Sequence, residues 1–284
     1  MATTILYHHD TAYDKVGAYN QDAINGFSEE LLDHMLDLVN PARATSILDA
    51  MAGNGNLSWR LYEYCGRRGI NVPTVCVLDV SSVQCAFARE KLSHTNANVI
   101  WGNVLTMEDC DTGNMLPEAF FDRVMIKSGS HEIPLEKQME LYQSLHRILK
   151  PGGWFVNLGL LFDDVEERDH FQALGRLKDH AAGLCDAVKN RHYLTREEFY
   201  SCLQQAGFMD IQCARHFQYT IDSSVLVREY FPEHKWEEAH ADIQAQHARA
   251  IVLRRKGCIH FERDRSIMTA PGEITVAWRG AEES

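Results

Sequence analysis

The residues able to do chemistry sit where apolar runs end. The stretch Ile47-Leu48-Asp49-Ala50-Met51-Ala52-Gly53-Asn54-Gly55-Asn56 places a carboxylate and two glycines between a short apolar run and a segment with helical spacing. Without a Cβ, Gly53 and Gly55 let the backbone turn sharply and approach a ligand closely. The N–H groups that open the following helix can then meet a polar or anionic group. Further on, Val75-Cys76-Val77-Leu78 ends in Asp79. A carboxylate at that place can accept both hydroxyls of a ribose; it can also serve as the cap of a helix from Ser81 onward.

A third group follows the apolar run from Phe121 to Ile126. In Lys127-Ser128-Gly129-Ser130-His131-Glu132, His131 is of the side-chain type that exchanges a proton near neutral pH, so it can act as a general base toward an oxygen or nitrogen nucleophile. Packing against a ligand, or capping a helix after Pro134, are the alternative roles. Glu132 can orient His131 or face a substrate amine.

The elements that position these residues follow from periodicity. Helical spacing is expected over 26–39, with Ser28 as N-cap and Pro41 as terminator. Strands are expected at Ser46–Asp49, Thr74–Leu78, Asn98–Trp101, Phe121–Ile126 and Trp154–Leu160. Helices are expected at Asn56–Tyr64, Ser81–Leu92 and about Leu135–Leu149. Lys150-Pro151-Gly152-Gly153 reads as a turn. Such alternation builds a doubly wound, mostly parallel sheet, because parallel neighbours need crossover helices. The rest is less regular: polar helix over 163–190, a helix opened by Thr195 with Glu198 three residues on, strands at Met209–Tyr219 and Ile274–Trp278, and helix over 222–256.

The order D-x-x-A-G-x-G, strand-end Asp79, Phe121-Asp122-Arg123-Val124 and Leu145-His146-Arg147-Ile148-Leu149-Lys150-Pro151-Gly152-Gly153-Trp154 resembles the class I S-adenosylmethionine-dependent methyltransferases over about residues 45–160. The resemblance implies an α/β fold with a seven-stranded sheet whose last strand is antiparallel. It also implies S-adenosylmethionine as cofactor. Carried over by position, Asp49, Ala50, Gly53 and Gly55 would line the methionine half, and Asp79 with Val80 the ribose. Asn103 and Val104 would meet the adenine, Asn103 standing where the family often has Asp. Lys127 and Ser128 would join the cofactor contacts, with His131 and Glu132 as the catalytic candidates. Met51 departs from the family by replacing the first loop glycine. Asp122, at the start of its strand, is expected to cap backbone. In similar enzymes an N-terminal helix closes over the cofactor with an aromatic near the sulfonium; Tyr13 and Tyr19 are the candidates, as cation–π partners or as plain packing residues.

The expected organisation is therefore an N-terminal helical cap over 1–40, a cofactor-binding core over 41–160, and a C-terminal part over 161–284 that completes the sheet and carries a helical lid at 222–256. A lid with Tyr230, Phe231, Trp236 and several histidines suits a small organic substrate. The expected activity is O-, N- or C-methylation of such a molecule, in secondary metabolism; a non-methyl reaction such as a cyclisation, or a non-catalytic cofactor-binding subunit, are the alternatives.

Composition narrows the partners. The formal net charge of the 284 residues is -12, whereas nucleic-acid binding needs cationic surface to replace counterions. The cluster Arg254-Arg255-Lys256 is short and reads as a solvated helix end. No N/D-P-P-Y/F motif follows the fourth strand, as expected of enzymes that hold a flipped base. No nucleic-acid partner and no membrane partner are expected, a homodimer is allowed, and the cytoplasm is the expected compartment given the start MATTILYHHD. The eight cysteines form no C-x-x-C pair and read as reduced core residues. No metal site is expected.

Overall fold

A computed structural model describes residues 27–281 of the chain. Five strands run parallel: β1 (Ser46–Ala50), β2 (Thr74–Asp79), β3 (Asn98–Asn103), β5 (Phe121–Lys127) and β6 (Leu149–Leu160). All five residues of β1 are buried, as expected of a central strand covered by helices on both faces. Beyond β6 lies β9 (Arg265–Arg279), antiparallel to it, and then β7 (Phe208–Asp222), antiparallel to β9. The order β3-β2-β1-β5-β6-β9-β7 holds the seven strands expected, with the chain's last strand antiparallel to its neighbours.

Among the described residues the sheet has nine strands rather than seven. The two-residue β4 (Glu108–Asp109) folds back on β3, and β8 (Ile259–Glu262) forms a hairpin with β9. The Lys150-Pro151-Gly152-Gly153 segment is also not a free turn. Strand β6 begins at Leu149, and its register against β5 jumps from Leu149 opposite Phe121 to Trp154 opposite Arg123, so the four residues loop out as a bulge. Lys150 Nζ is thereby brought 3.0 Å from Asp122 Oδ1, while Asp122 Oδ2 accepts from Thr45 N at 2.8 Å and Ser46 N at 3.0 Å. Burial works against the Asp122 charge, yet these bonds hold its carboxyl well below the usual carboxylate range. Asp122 thus caps backbone, and it ties the two family-like segments together.

Helices α1 (Glu29–Val39), α2 (Asn56–Arg68) and α3 (Ser82–Lys91) cover one face, burying Met35, Leu36, Leu61 and Ala88 against Ile47, Val77 and Met125. Ser28 Oγ accepts from Leu31 N at 3.1 Å as the α1 N-cap. On the other face α4 (Gln138–Ile148) and α7 (Arg196–Gln205) pack Leu141, Tyr142, Leu145, Phe199 and Leu203 on Leu48, Val124 and Phe155. Thr195 caps α7 with the reciprocal Thr195–Glu198 bonds of a capping box.

A third apolar cluster joins α5 (Val165–Ala181), α8 (Ser223–Tyr230), α9 (Trp236–Arg249) and α10 (Ile251–Arg255) to the carboxyl ends of β6 and β7, with Leu160, Phe162, Phe171 and Val227 at its centre. The helical stretch expected over 222–256 is divided into three α-helices; Pro232, without an N–H, stops α8, and α9 ends before Ala250, whose φ −75° and ψ 68° leave the helical region. The polar helix expected over 163–190 is α5 followed by the short α6 (Cys185–Asn190).

Candidate active site

The parallel strands end on one edge of the sheet, and the residues singled out from the sequence end with them. After β1 the chain turns through Met51 (φ +57°), Gly53 (φ +55°) and Gly55 (φ +75°) into α2. Gly53 needs its left-handed conformation, and the space a Cβ would occupy there is open for 4 Å; Gly55 needs both its conformation and its size, since a Cβ would lie 3.2 Å from Ala88 Cβ of α3. Asp79, at the end of β2, accepts from Gly53 N through Oδ2 at 2.7 Å and from Ser81 N through Oδ1 at 2.9 Å. The carboxylate fastens the glycine loop to β2 and holds Ser81, which is itself the N-cap of α3 through Ser81 Oγ accepting from Gln84 N at 3.1 Å, so the helix cap expected at Asp79 falls to Ser81.

Asp49 is fully buried and accepts from Ser58 Oγ at 2.6 Å. Burial pushes its carboxyl up to about 7, against the Ser58 bond and the Lys127 charge, with Asp79 adding to the rise. Asp49, Asp79 and Lys127 therefore form one electrostatic unit, with Asp49 as a buried support beneath the loop. Ala50 beside it is buried as well. Val80 O accepts from the Trp101 indole at 2.9 Å. Asn103 Oδ1 accepts from Leu105 N at 2.9 Å, closing an Asx turn that directs the chain past Val104, which is buried. Lys127 Nζ lies 5.5 Å from the centre of the Phe27 ring, and Ser128 turns the chain with φ +54°. Tyr13 and Tyr19 lie outside the described residues.

His131 and Glu132 stand in a network that the sequence did not announce. His131 Nε2 is 3.0 Å from Glu132 Oε1 and 3.2 Å from Arg191 Nη1, and the same Arg191 nitrogen is 3.0 Å from Glu132 Oε1. Arg191 Nε donates to the fully buried Asp179 at 2.8 Å, and Lys178 Nζ lies 2.5 Å from the other Asp179 oxygen while resting over the Tyr230 ring. Tyr193 stacks on the His131 ring at 4.7 Å and 20°, and burial pushes the Tyr193 hydroxyl up to about 12. Two cations balance two carboxylates here, which allows burial without a large desolvation deficit. The loop itself is anchored from α4: Gln138 Nε2 donates to Ser130 O at 2.8 Å and to Ile133 O at 2.7 Å.

Lys178, Asp179, Arg191 and Tyr193 were missed because they lie in or just after the segment 163–190, which reads from sequence as polar helix, whereas Tyr230 is one of the aromatics expected in the lid. The one available signal was the adjacent Lys178-Asp179 pair on a helix face that also carries Phe171 and Leu174.

Two separate groups thus line the carboxyl edge: Asp79 with the glycine loop, and a charged cluster around His131. Residues 47–153 match the family model of a methyltransferase domain. A ubiquinone/menaquinone biosynthesis C-methyltransferase, UbiE, of Coxiella burnetii is 27% identical over 175 residues, covering 58% of this chain and 66% of that relative, just under two thirds of its length. Among solved structures, the YcgJ protein from Bacillus subtilis superposes with a TM-score of 0.71 at 14% identity, covering 90% of this chain and 100% of the other. The [4+2]-cyclase SpnF superposes with a TM-score of 0.53 at 14% identity, covering 93% and 87%. The domain match over 47–153 and the fold together support a class I S-adenosylmethionine-dependent methyltransferase.

The donor set fits that cofactor. Asp79 places a carboxylate at the end of β2 beside the glycine loop, Gly53 leaves open space beside the backbone, and the α2 N-terminus offers N–H groups to a carboxylate. No helix among the described residues is long and apolar enough to cross a membrane.

Proposed function

We propose that the chain methylates a small organic acceptor at an oxygen, nitrogen or electron-rich carbon, with His131 taking the acceptor's proton. The observation that carries this reading is the shared contact of His131 Nε2, Glu132 Oε1 and Arg191 Nη1. The Glu132 carboxylate beside Nε2 stabilises the imidazolium that forms when the ring takes the acceptor's proton. Arg191 holds Glu132 in place, and the stacked Tyr193 ring fixes the imidazole plane. The bound cofactor supplies a methyl group already activated on a sulfonium, so alignment accounts for much of the rate. Asp79, Gly53, Asn103 and Val104 are assigned to cofactor binding, Lys127 and Ser128 to the boundary between cofactor and acceptor.

The lid helices, with Tyr230, Phe231 and Trp236, favour an acceptor small enough to be enclosed. The UbiE relative is described as a C-methyltransferase of quinone biosynthesis, which makes an electron-rich ring carbon the first acceptor class to test. A neighbour described as a cyclase supports a second reading, in which cofactor is bound and not consumed. The chain incubated with methyl-labelled cofactor and a panel of phenols, quinols, enols and amines separates the two. Label in an acceptor supports methyl transfer. Intact bound cofactor together with an unlabelled, isomerised acceptor supports the second reading. Placement of the activity in secondary metabolism and in the cytoplasm, and a homodimer, belong to this proposal as well.

A further inference from the structure

Away from the carboxyl-edge site, Cys213, His216 and Glu273 bring one ligand atom each to within 4.8 Å of one another. Residues three apart on a regular strand point to opposite faces. In β7 they do not, because the register slips between Cys213, which lies opposite Thr275, and Arg215, which lies opposite Ile274. The extra residue, Ala214, turns Cys213 and His216 onto the face that carries Glu273. Bulges that re-aim side chains in this way recur beside functional sites.

The site is built around an oriented carboxylate. Glu273 is fully buried; its Oε1 accepts from Tyr200 at 2.8 Å and Thr275 Oγ1 at 2.5 Å, and its Oε2 accepts from Arg196 Nε at 2.7 Å. Oε2 therefore keeps one lone pair beyond those that fix its direction. Cys213 Sγ lies 3.5 Å from His216 Nε2, a separation two ligands of a tetrahedral ion can adopt. A second observation points to the same place. Asn157 of β6 is buried, and both atoms of its amide lack a hydrogen-bond partner among the described residues. It shares the row Asn157–Thr275–Cys213, and its amide leans toward Gly159, the residue opposite Glu273.

We propose that Cys213, His216 and Glu273 bind a divalent transition metal ion of the zinc class. One sulfur, one imidazole and one carboxylate are the ligand types of zinc, and three protein ligands leave a fourth position for water on the exposed His216 side. The charges balance: the ion and Arg196 against Glu273, the Cys213 thiolate and Asp163, which also pairs with Arg196. Binding releases the thiol proton to solvent.

Cobalt(II), added to the full chain after treatment with a chelator, tests this directly. The expected result is a near-ultraviolet thiolate-to-cobalt band that zinc abolishes, with zinc raising the melting temperature. The Cys213→Ser variant loses the band, the exposed-site variant His216→Ala weakens binding by at least about tenfold, and Cys258→Ser changes neither. A band that persists in Cys213→Ser, an affinity unchanged in His216→Ala, or no band with cobalt in excess overturns the proposal.

Discussion

Met51 and Gly129 fit only as a pair. The loop after β1 and the loop after β5 meet here, and a Cβ at Gly129 would stand 2.7 Å from Met51 Cβ and 3.2 Å from Met51 Sδ. Met51 itself sits at φ +57°, a conformation that costs a non-glycine residue about 1 kcal/mol or more. The position where the family-like loop lacks its first glycine is thus compensated from across the sheet, where a glycine makes room for the side chain.

Gly129→Ala is expected to destabilise the chain by about 1–3 kcal/mol, the range for overpacking a tight contact. Met51→Gly alone removes the strained conformation and the clash partner together. In the double variant Met51→Gly/Gly129→Ala the loss should shrink by more than additivity allows. Denaturant titration of the four forms measures the coupling, and strictly additive values would contradict the pairing.

Asp79→Ala is expected to weaken cofactor binding at least about tenfold, since one or more charge-assisted hydrogen bonds are lost and the Gly53 and Ser81 N–H groups lose their acceptor. Asp79→Asn retains one acceptor oxygen and should fall between. Calorimetry with S-adenosylmethionine reads both; unchanged affinity in Asp79→Ala would remove Asp79 from the site.

The central sheet was legible because its information is local: apolar runs, a glycine loop, a strand-end carboxylate and the Leu149-Lys150-Pro151-Gly152-Gly153 signature each declare themselves within a few residues. What escaped depends on distant partners. The partnership of Arg191 with Glu132 spans a helix pair that reads as polar surface, and nothing in either segment names the other. The shared face of Cys213 and His216 depends on a bulge, and a one-residue slip in strand register leaves no periodic trace. The Lys150–Gly153 bulge was misread as a turn for a related reason, since Gly152 at φ +76° serves either.

His131→Ala is expected to lower turnover by about 10²–10⁴-fold, the usual contribution of a positioned base, while leaving cofactor affinity within about twofold. Equal turnover in the two proteins across pH would reduce His131 to a packing residue.

Arg191→Met strips a partner from Glu132 and from the buried Asp179 at once. A buried pair broken on one side costs about 3–5 kcal/mol, so a melting temperature lower by several degrees is expected. Asp179 keeps Lys178 as a partner in this variant, so the loss should fall toward the lower end of that range. A melting temperature equal to that of the wild type would show that the Arg191 ion pairs contribute nothing to stability.

Asp49 contributes a pH dependence to the stability of the chain. Its carboxyl is raised to about 7 by burial in the folded state, from an ordinary value of 3.8. A raised carboxyl favours the folded state while protonated, so its contribution is fully present below pH 3.8 and is lost as pH rises through 7. The size of the loss is on the order of a few kcal/mol. Asp49→Asn keeps an acceptor for Ser58 Oγ and has no charge to bury. The variant should match the wild type near pH 4 and exceed it in stability near pH 8, as measured by thermal or denaturant unfolding at each pH. Lys127 opposes the rise, so in Lys127→Met the decline should continue to higher pH and run deeper. Identical pH slopes for wild type and Asp49→Asn would mean that Asp49 stays ionised beneath the loop, and the electrostatic unit of Asp49, Asp79 and Lys127 would then need another source for its balance.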